Sequence, residues 1–280
     1  MLYLFDFILK NNYGTIECLD NLIENSTLDS IFNPSICYFN NDKYVTLRRC
    51  NYYQDKNGIV LMGDRFLSTF YLFKNNELLL EITPQNLEPN GIEDARLFIY
   101  NNELYISCSK IKTNNPLTIG LFVYKINLEK QSLEYIFDYG DMEKNWLHIP
   151  NSMKFLRWVG SELYDNGNII TYGKYNGLRG STKLVPYKEG FLCICHTSTQ
   201  AYIYQYEKVG LCYYHYFVYL DNDFNIIKTL PFRLTKDKNI EFITGLDIFN
   251  DKLYISGSLM DKNNFIIDFD VNYIPLKEGA

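Results

Sequence analysis

The sequence has few of the residues that build metal centres and disulfide frameworks. It contains three histidines, and no two of them have the spacing of a metal-ligating pair. Its seven cysteines are odd in number and form no C-x-x-C pair, so neither a zinc site nor a disulfide scaffold is predicted. We therefore expect no metal and no cofactor. Cysteines without such a pattern are typical of a reducing compartment, and we expect the protein to be cytoplasmic.

Positive charge and long apolar runs are also scarce. The formal net charge is −6 and the isoelectric point about 5.2, which excludes the basic footprint of a nucleic-acid-binding protein. An anionic ligand must therefore be bound by a few local cations. No stretch approaches the ~18 apolar residues of a membrane helix, so no membrane partner is expected. The apolar opening MLYLFDFILK lacks a basic n-region and a cleavage site and contains Asp6, so it does not predict a signal peptide.

Three common catalytic signatures are missing as well. The sequence has no G-x-S-x-G elbow, no P-loop and no dinucleotide fingerprint, which weakens the case for hydrolase triads, nucleotide hydrolysis and hydride transfer. What the chain has in abundance is aromatic residues, with 25 Tyr and 19 Phe among 280 residues. Aromatic side chains favour strands, and an all-β chain of this length is commonly one domain.

One local pattern recurs along the chain: an apolar or alternating run, a polar turn, and a second run. The turns are built from Asn, Asp and Gly, which tolerate the positive φ that tight hairpins require. Hairpins are predicted at residues 37–47, 71–82, 97–108, 164–172, 185–196, 217–229 and 247–256. Helical signals are confined to two short pieces, residues 16–23 and 86–90.

Five polar motifs introduce groups of these hairpins. They begin at Asn33, Glu93, Glu143, Arg179 and Glu241. Five units over 280 residues average 56 residues each, enough for a four-stranded blade with its loops. We therefore predict an all-β, five-bladed β-propeller, a single domain over residues 1–280 with motif-bearing blades at roughly 33–268. Because the inner strand of each blade lines the central channel, the five motifs would converge on one funnel.

The stretch from Glu93 to Arg96 places two carboxylates and a guanidinium directly before an apolar strand. Strand alternation predicts that Glu93 and Asp94 point to opposite faces, so that only one of them lines the funnel, and that Arg96 shares the face of Asp94. A neighbouring guanidinium lowers the pKa of an aspartate unless burial acts against it. From these residues alone, a catalytic group and a structural ion bridge both remain open.

Several cations and two tryptophans near the other motifs are candidate ligand contacts. Arginine gives bidentate contacts to phosphate and lysine gives a point charge. The Arg-Gly-Ser-Thr motif at 179–182 adds two hydroxyls to its guanidinium. The candidate cations are Arg48, Arg49, Lys144, Arg157, Arg179 and Lys183. Trp146 and Trp158 are candidates for stacking on sugar rings, although isolated tryptophans more often belong to the core.

With these motifs the sequence resembles the propeller family that contains the glycoside hydrolase family 130 β-mannoside phosphorylases and their glycosyltransferase-like relatives. The matching motifs appear in the family's order and cover roughly residues 33–268. They are Asn33 to Ile36 with Arg48 and Asn51-Tyr52, Gly91 to Arg96, Glu143 to Trp146, Arg179 to Ser181 with His196, Tyr214-His215, and Ile240 to Phe242 with Gly245-Leu246 and Asp261.

The resemblance implies roles for individual residues. Asp94 is expected to be the general acid of an inverting phosphorolysis, in which phosphate attacks the anomeric carbon and the proton passes through a sugar hydroxyl to the departing oxygen. A hydrolase would instead need a second carboxylate about 6.5–9.5 Å away, for which Glu241 and Asp261 are the candidates. The expected substrate- or phosphate-binding residues are Asn33, Ser35, Arg48, Glu93, Arg96, Lys144, Asn145, Trp146, Arg179, His196 and His215.

The chain departs from the family pattern at a few positions. Ala95 replaces a proline, Thr197 stands where relatives often have Glu, Tyr216 stands where they often have Arg, and Gly257 lies four residues before Asp261 instead of three. Three functions therefore stay open. The first transfers a glycosyl unit, most simply mannosyl, between a β-mannoside and phosphate; the second is a mannosyltransferase with a nucleotide-sugar or sugar-phosphate donor; the third is an inactive glycan-binding propeller. The expected partners are a glycoside or oligosaccharide with phosphate or a sugar phosphate, and the oligomeric state is not predicted.

Overall fold

Short antiparallel strands joined by tight turns make up most of the chain. The computed structural model describes residues 1–24, 29–55, 58–63, 66–84, 91–114, 117–141, 144–202, 209–236 and 240–276. The predicted helical piece at 86–90 and the motif residue Glu143 lie outside these ranges. No helix within them is long and apolar enough to span a bilayer.

The N-terminal segment contains two strands and the α-helix of the described chain. The order is β1 (Leu2–Tyr3), α1 (Leu4–Asn11) and β2 (Gly14–Cys18), followed by a 3₁₀ turn (Asp20–Leu22). The helix predicted at 16–23 is therefore wrong for its first half. Ile16 pairs with Ile267 in an antiparallel ladder, a partner about 250 residues away that local periodicity does not reveal.

The first two blades follow in sequence. The first has β3 (Ser30–Phe39), β4 (Asp42–Cys50), then a separate ribbon of β5 (Tyr52–Asp55) and β6 (Gly58–Leu61), and then β7 (Ser68–Lys74) and β8 (Glu77–Ile82). The second has β9 (Glu93–Tyr100), β10 (Glu103–Asn114), β11 (Leu117–Asn127) and β12 (Ser132–Asp141).

Three further blades complete the ring. The third has β13 (Leu147–His148), β14 (Phe155–Trp158), β15 (Glu162–Asp165) and β16 (Asn168–Thr171). The fourth has β17 (Arg179–Gly180), β18 (Val185–Tyr187), β19 (Gly190–Tyr202), β20 (Val209–Leu220) and β21 (Ile226–Arg233), with β1 at its outer edge. The fifth has β22 (Glu241–Phe249), β23 (Lys252–Leu259) and β24 (Asn263–Asp270), with β2 outermost, and a 3₁₀ turn (Val271–Tyr273) follows.

The predicted all-β, five-bladed propeller is confirmed, and so are all seven predicted hairpins. In five of the seven hairpins, Asn or Asp residues of the turn adopt the left-handed conformation that the sequence suggested. Positive φ occurs there at Asn40, Asn41, Asn75, Asn76, Asn101, Asn102, Asn166, Asn250 and Asp251. In the hairpins at 185–196 and 217–229, positive φ occurs instead at Lys188 and Phe224. Turn chemistry, rather than strand propensity alone, therefore sets where the five hairpins reverse.

Hydrogen bonds between the first strands of different blades surround the central channel. Leu97 N donates to Ser35 Oγ at 3.0 Å, joining the second blade to the first, and Thr244 Oγ1 donates to the carbonyl of Pro34 at 2.7 Å, joining the fifth to the first. Gly245 allows this close approach, since a Cβ there would lie 2.6 Å from the backbone nitrogen of Ile36. The motif-bearing strands are thus brought together.

The N-terminal segment fastens the last two blades to each other. β1 pairs in parallel with β21, and β2 pairs with β24. The helix α1 connects β1 to β2. Leu4 and Ile8 of the helix are fully buried in a core shared by the fourth and fifth blades. Closure of the ring between these blades therefore depends on burial of one face of α1.

This closure can be tested by truncating neighbouring residues of α1. We expect Ile8→Ala to lower the free energy of unfolding by about 2–5 kcal/mol, because it leaves a cavity at a fully buried position. Leu9→Ala is the matched control: Leu9 is 59% exposed, and a change within about 0.5 kcal/mol is expected. Equal effects of the two substitutions in urea denaturation would contradict the docking of this helix.

Candidate functional site

Asp94 lies at a distortion in the inner strand of the second blade. Its φ is 50°, a conformation uncommon for a residue other than glycine. Next to it the β9–β10 ladder has a bulge, because Ser107 pairs with Arg96 whereas Ser109 pairs with Glu93. The extra residue breaks strand alternation. Glu93 and Asp94 therefore do not point to opposite faces: both carboxylates contact the same two cations, and the prediction that only one lines the funnel was wrong.

Four charged side chains from three blades form what we call the ion cluster: Arg48, Glu93, Asp94 and Lys144. Arg48 Nη1 lies 3.1 Å from Asp94 Oδ1, and its Nη2 lies 3.2 Å from Glu93 Oε1. Lys144 Nζ lies 3.2 Å from Asp94 Oδ2 and 3.5 Å from Glu93 Oε2. The Lys144 side chain is 33% exposed and that of Asp94 5%, so the cluster reaches solvent on the lysine side.

The ion cluster keeps Asp94 ionised. Burial alone would raise the pKa of this carboxyl, but the charges of Lys144, Arg48 and Arg96 and a hydrogen bond from Asn33 outweigh burial and lower it. Asn33 Nδ2 donates to Asp94 Oδ1 at 2.8 Å. The Asp94 carboxylate in turn raises the pKa of Lys144. In the protein without ligand, Asp94 is therefore an anion.

Arg96 connects the backbone of Asp94 to the third and fourth blades. Its Nε donates to the carbonyl of Ser181 at 2.7 Å, its Nη2 to Asn145 Oδ1 at 3.1 Å and its Nη1 to the carbonyl of Asp94 at 3.2 Å. Arg96 and Asn145 are 3% and 4% exposed. These contacts give both residues a positioning role.

Polar groups of the first and fifth blades, on either side of Asn33, add further hydrogen-bonding side chains to the site. Asn33 has a φ of 55°, and its Oδ1 accepts a hydrogen bond from Ser258 Oγ at 3.2 Å. Asp261, with a φ of 52°, accepts a hydrogen bond from the hydroxyl of Tyr52 at 3.1 Å. The sequence assigned no role to Ser258, although its position three residues before Asp261 placed it near that motif.

The fourth blade contributes a histidine and a tyrosine. His196 Nδ1 lies 2.8 Å from Ser181 Oγ, and burial first, then nearby charges that include Arg179 and Lys144, lowers its pKa well below the usual range. This imidazole is therefore neutral. Tyr213, 5.8 Å from the His196 ring, was missed because it lies in a strand crowded with tyrosines.

Tyr213 lies close enough to several charged groups of the site for them to change its pKa. Burial raises the pKa of its hydroxyl most strongly, followed by the carboxylate of Asp261. Asp94 also raises this pKa, whereas Lys144 and Arg179 lower it. The charged groups that change the pKa of Tyr213 come from the second, third, fourth and fifth blades. This edge of the propeller therefore forms a single site.

Two predicted ligand contacts are instead parts of the core. The Ser35 hydroxyl is 2% exposed and accepts the Leu97 amide, so it joins two blades. Trp146 is 1% exposed and packs between Tyr139 and Tyr164, each 5.3 Å away by ring centroid. Because its ring is enclosed by aromatic side chains, Trp146 offers no face for a sugar.

Two more predicted site residues join the fourth and fifth blades. Glu241 is fully buried, and its Oε1 accepts hydrogen bonds from Leu234 N at 3.0 Å and Arg233 Nε at 3.2 Å. Burial raises the pKa of Glu241. His215 is also fully buried, its Nε2 lies 3.3 Å from the Glu241 carbonyl, and burial lowers its pKa to about 3. These contacts give both residues a structural role between the two blades, and the catalytic and ligand-binding roles expected for them stay predictions.

The six candidate cations separate into different environments. Arg48 and Lys144 belong to the ion cluster. Arg179, like Lys144, lowers the pKa of His196 and of Tyr213. Arg49 pairs with Asp29, Arg157 with Glu162, and Lys183 with Asp247 at 3.0 Å. Across the described part of the chain, no group of three or more His, Cys, Asp or Glu side chains is arranged to hold a metal ion.

No protein-family profile and no curated protein sequence matches the chain. Solved structures do match it. A mannose phosphorylase from Leishmania mexicana, in complex with a phosphate ion, aligns with a TM-score of 0.60 at 12% identity, covering 88% of this chain and 86% of that one. The chain shares its fold with this protein. The likeness confirms, at the level of fold, the resemblance that the motifs suggested.

Two further solved structures have the same fold. The β-1,2-mannobiose phosphorylase from Listeria innocua, in complex with β-1,2-mannobiose, aligns with a TM-score of 0.57 at 14% identity, covering 93% of this chain and 98% of that one. A GDP-Man-dependent mannosyltransferase from Leishmania mexicana aligns with a TM-score of 0.58 at 12% identity, covering 92% of this chain and 90% of that one. The blades described above are thus the shared framework of proteins with differing activities.

The structural role assigned to Glu241 can be tested by Glu241→Gln. Removing the carboxylate that Arg233 and the Leu234 amide contact should lower the free energy of unfolding by about 3–5 kcal/mol. Turnover per folded molecule should remain unchanged. Unaltered stability in urea denaturation together with lost turnover would restore the catalytic role that the sequence suggested.

Proposed function

We propose that the protein is a glycoside phosphorylase that transfers a mannosyl unit between a β-mannoside and inorganic phosphate. The observation that carries this proposal is the ion cluster, in which a buried carboxylate lies between a guanidinium of the first blade and an ammonium of the third. The likeness of fold to two mannoside-handling phosphorylases supports the choice of sugar.

Phosphate is bound by Arg48 and Lys144, with Arg179 as a third cation. Arginine offers bidentate donors to a phosphate, and lysine adds a compact charge. A phosphate oxygen forms the new bond to the anomeric carbon as the glycosidic C–O bond breaks. The proton of Asp94 goes to the departing oxygen, directly or through a sugar hydroxyl, and the new phosphate ester returns a proton to Asp94. No general base is required.

Asp94 must gain a proton before it can act as an acid, and phosphate binding provides the means. In the unliganded site, Arg48 and Lys144 keep the pKa of Asp94 low. A phosphate that binds the same two cations shares their charge and places negative charge beside Asp94. Both effects raise the pKa of Asp94. Binding of phosphate therefore favours protonation of Asp94, so that phosphate binding and proton binding are coupled.

Hydrolysis is less well supported because it needs a second carboxylate to activate water. The Glu241 carboxylate is engaged by Arg233 and the Leu234 amide. Asp261 contacts the hydroxyl of Tyr52 in the region of Asn33 and Ser258, where carboxylate and amide groups suit sugar hydroxyls. We assign Asp261 and Asn33 to binding of the transferred sugar.

A mannosyltransferase is the second candidate function. The observation in its favour is that the fold matches the GDP-Man-dependent mannosyltransferase as well as it matches the phosphorylases, with a TM-score of 0.58 against 0.60 and 0.57. In this alternative, Arg48, Lys144 and Arg179 bind the diphosphate of a nucleotide sugar. The same cations serve both chemistries, so the donor decides between them.

The proposal predicts that β-mannobiose and inorganic phosphate yield mannose 1-phosphate. Asp94→Asn should lower this rate by about 10²- to 10⁴-fold, because it removes the proton donor while keeping the size of the side chain. Glu103→Gln is the matched control, since the Glu103 side chain is 43% exposed and pairs with Lys125. Product analysis with phosphate and with GDP-mannose measures both activities.

Other outcomes of this assay select the alternatives. Transfer from GDP-mannose without any phosphorolysis would contradict the phosphorylase and select the mannosyltransferase. Glycan binding without turnover, unaffected by Asp94→Asn, would select the non-catalytic propeller.

A further inference from the structure

An aromatic pair lies on the third blade, apart from the residues assigned above. Trp158 ends β14, and Tyr175 belongs to the segment between β16 and β17. Their ring centroids are 4.8 Å apart, with the ring planes at 86°. Tyr175 is 59% exposed and Trp158 is partly buried, so the two rings form a small apolar surface at the edge of the blade.

The order of the strands places this pair at the same edge of the propeller as the ion cluster. β13 begins just after Lys144 and runs away from the cluster, and the antiparallel β14 returns, so that Trp158 arrives at the starting edge. β15 and β16 repeat this path and lead to Tyr175. Arg179, at the start of β17, follows four residues later.

Hydrogen bonds hold the Tyr175 segment against the turn that follows Trp158. Tyr172 N donates to the carbonyl of Ser161 at 2.9 Å, and Asn176 Nδ2 donates to the carbonyl of Val159 at 2.8 Å. These two bonds, one from the backbone and one from a side chain, hold the segment on both sides of Tyr175. A surface fixed in this way can bind a ligand without first becoming ordered.

Arg179 links the aromatic pair to the candidate site. Its guanidinium carbon lies 5.9 Å from the centroid of the Trp158 ring. Its charge also lowers the pKa of His196 and of Tyr213, both of which belong to the site. Arg179 pairs with His196 in the β17–β19 ladder. The aromatic surface therefore lies next to the site, with Arg179 close to both.

The chemistry of this surface suits a neutral sugar. Aromatic rings pack against the C–H face of a pyranose, and neighbouring polar groups bind its hydroxyls. The charge of Arg157 beside Trp158 is paired with that of Glu162. Two rings provide an area that matches one sugar residue and is far smaller than a protein interface.

We propose that Trp158 and Tyr175 form a distal subsite for an oligosaccharide, binding a sugar residue beyond the one that is transferred at Asp94. This inference rests on the proposed function, because it assumes that a sugar occupies the site beside Arg179. It extends that function by making the enzyme prefer oligosaccharides over disaccharides.

The two tryptophans of the chain allow binding to be measured without turnover. Trp146 is enclosed in the core, so a change in tryptophan fluorescence on adding β-mannotriose or β-mannotetraose reports on Trp158. We expect such a change with the wild-type protein and none with Trp158→Phe. Absence of any change over a range of oligosaccharide lengths would overturn the subsite.

Substitution then tests the contribution of each ring. Tyr175→Ala and Trp158→Ala should each weaken binding of the trisaccharide by about tenfold and leave that of the disaccharide within about twofold. Tyr175 is exposed, so its replacement tests the proposal even if Trp158→Ala fails to fold. Tyr135→Ala is the matched control, since Tyr135 is 56% exposed on the second blade.

The outcomes separate the subsite from the proposed reaction. Length-dependent binding through Trp158 without phosphorolysis would support the subsite and contradict the phosphorylase. Phosphorolysis of both substrates, with equal effects of Tyr175→Ala on the disaccharide and the trisaccharide, would support the reaction and overturn the subsite.

Discussion

The ion cluster of Arg48, Glu93, Asp94 and Lys144 is the interaction on which the candidate site depends. Removing charges from water is costly unless they are paired and hydrogen-bonded. Here two carboxylates and two cations satisfy one another, with distances between 3.1 and 3.5 Å. The arrangement requires the bulge at Asp94, since regular strand alternation would separate the carboxylates. Because its members come from three blades, the cluster exists only when the ring is correctly assembled.

Polar contacts elsewhere around the channel serve assembly instead of chemistry. Lys183 Nζ lies 3.0 Å from Asp247 Oδ1 and 3.1 Å from Cys37 Sγ, which connects the fourth, fifth and first blades. Burial raises the pKa of Cys37 to about 12, so its thiol stays protonated and unreactive. Glu241 and Arg233 make the corresponding connection between the fourth and fifth blades. The polar groups around the channel thus include some that close the ring and others that form the candidate site.

Much of the fold and part of the site could be predicted from the sequence. The Asn and Asp turns revealed the hairpins because their requirement for positive φ is local. Pairing of β2 with β24 was missed because it joins residues about 250 positions apart. The members of the ion cluster were identified, but the bulge at Asp94 was not, since neither a glycine nor a proline marks it. Glu241 and Asp94 are both carboxylates in the predicted motifs, so the sequence did not distinguish their roles. The contacts of Glu241 with another blade indicate its structural role.

The central claim is that phosphate and Asp94 share the same two cations, so that phosphate binding protonates the acid. Titration calorimetry of inorganic phosphate in two buffers of different ionisation enthalpy measures the protons exchanged on binding. Comparing the wild-type protein with Asp94→Asn removes the contribution of phosphate itself. The account predicts that the wild-type protein takes up about one more proton per bound phosphate than the variant. Equal proton exchange by the two proteins would contradict it.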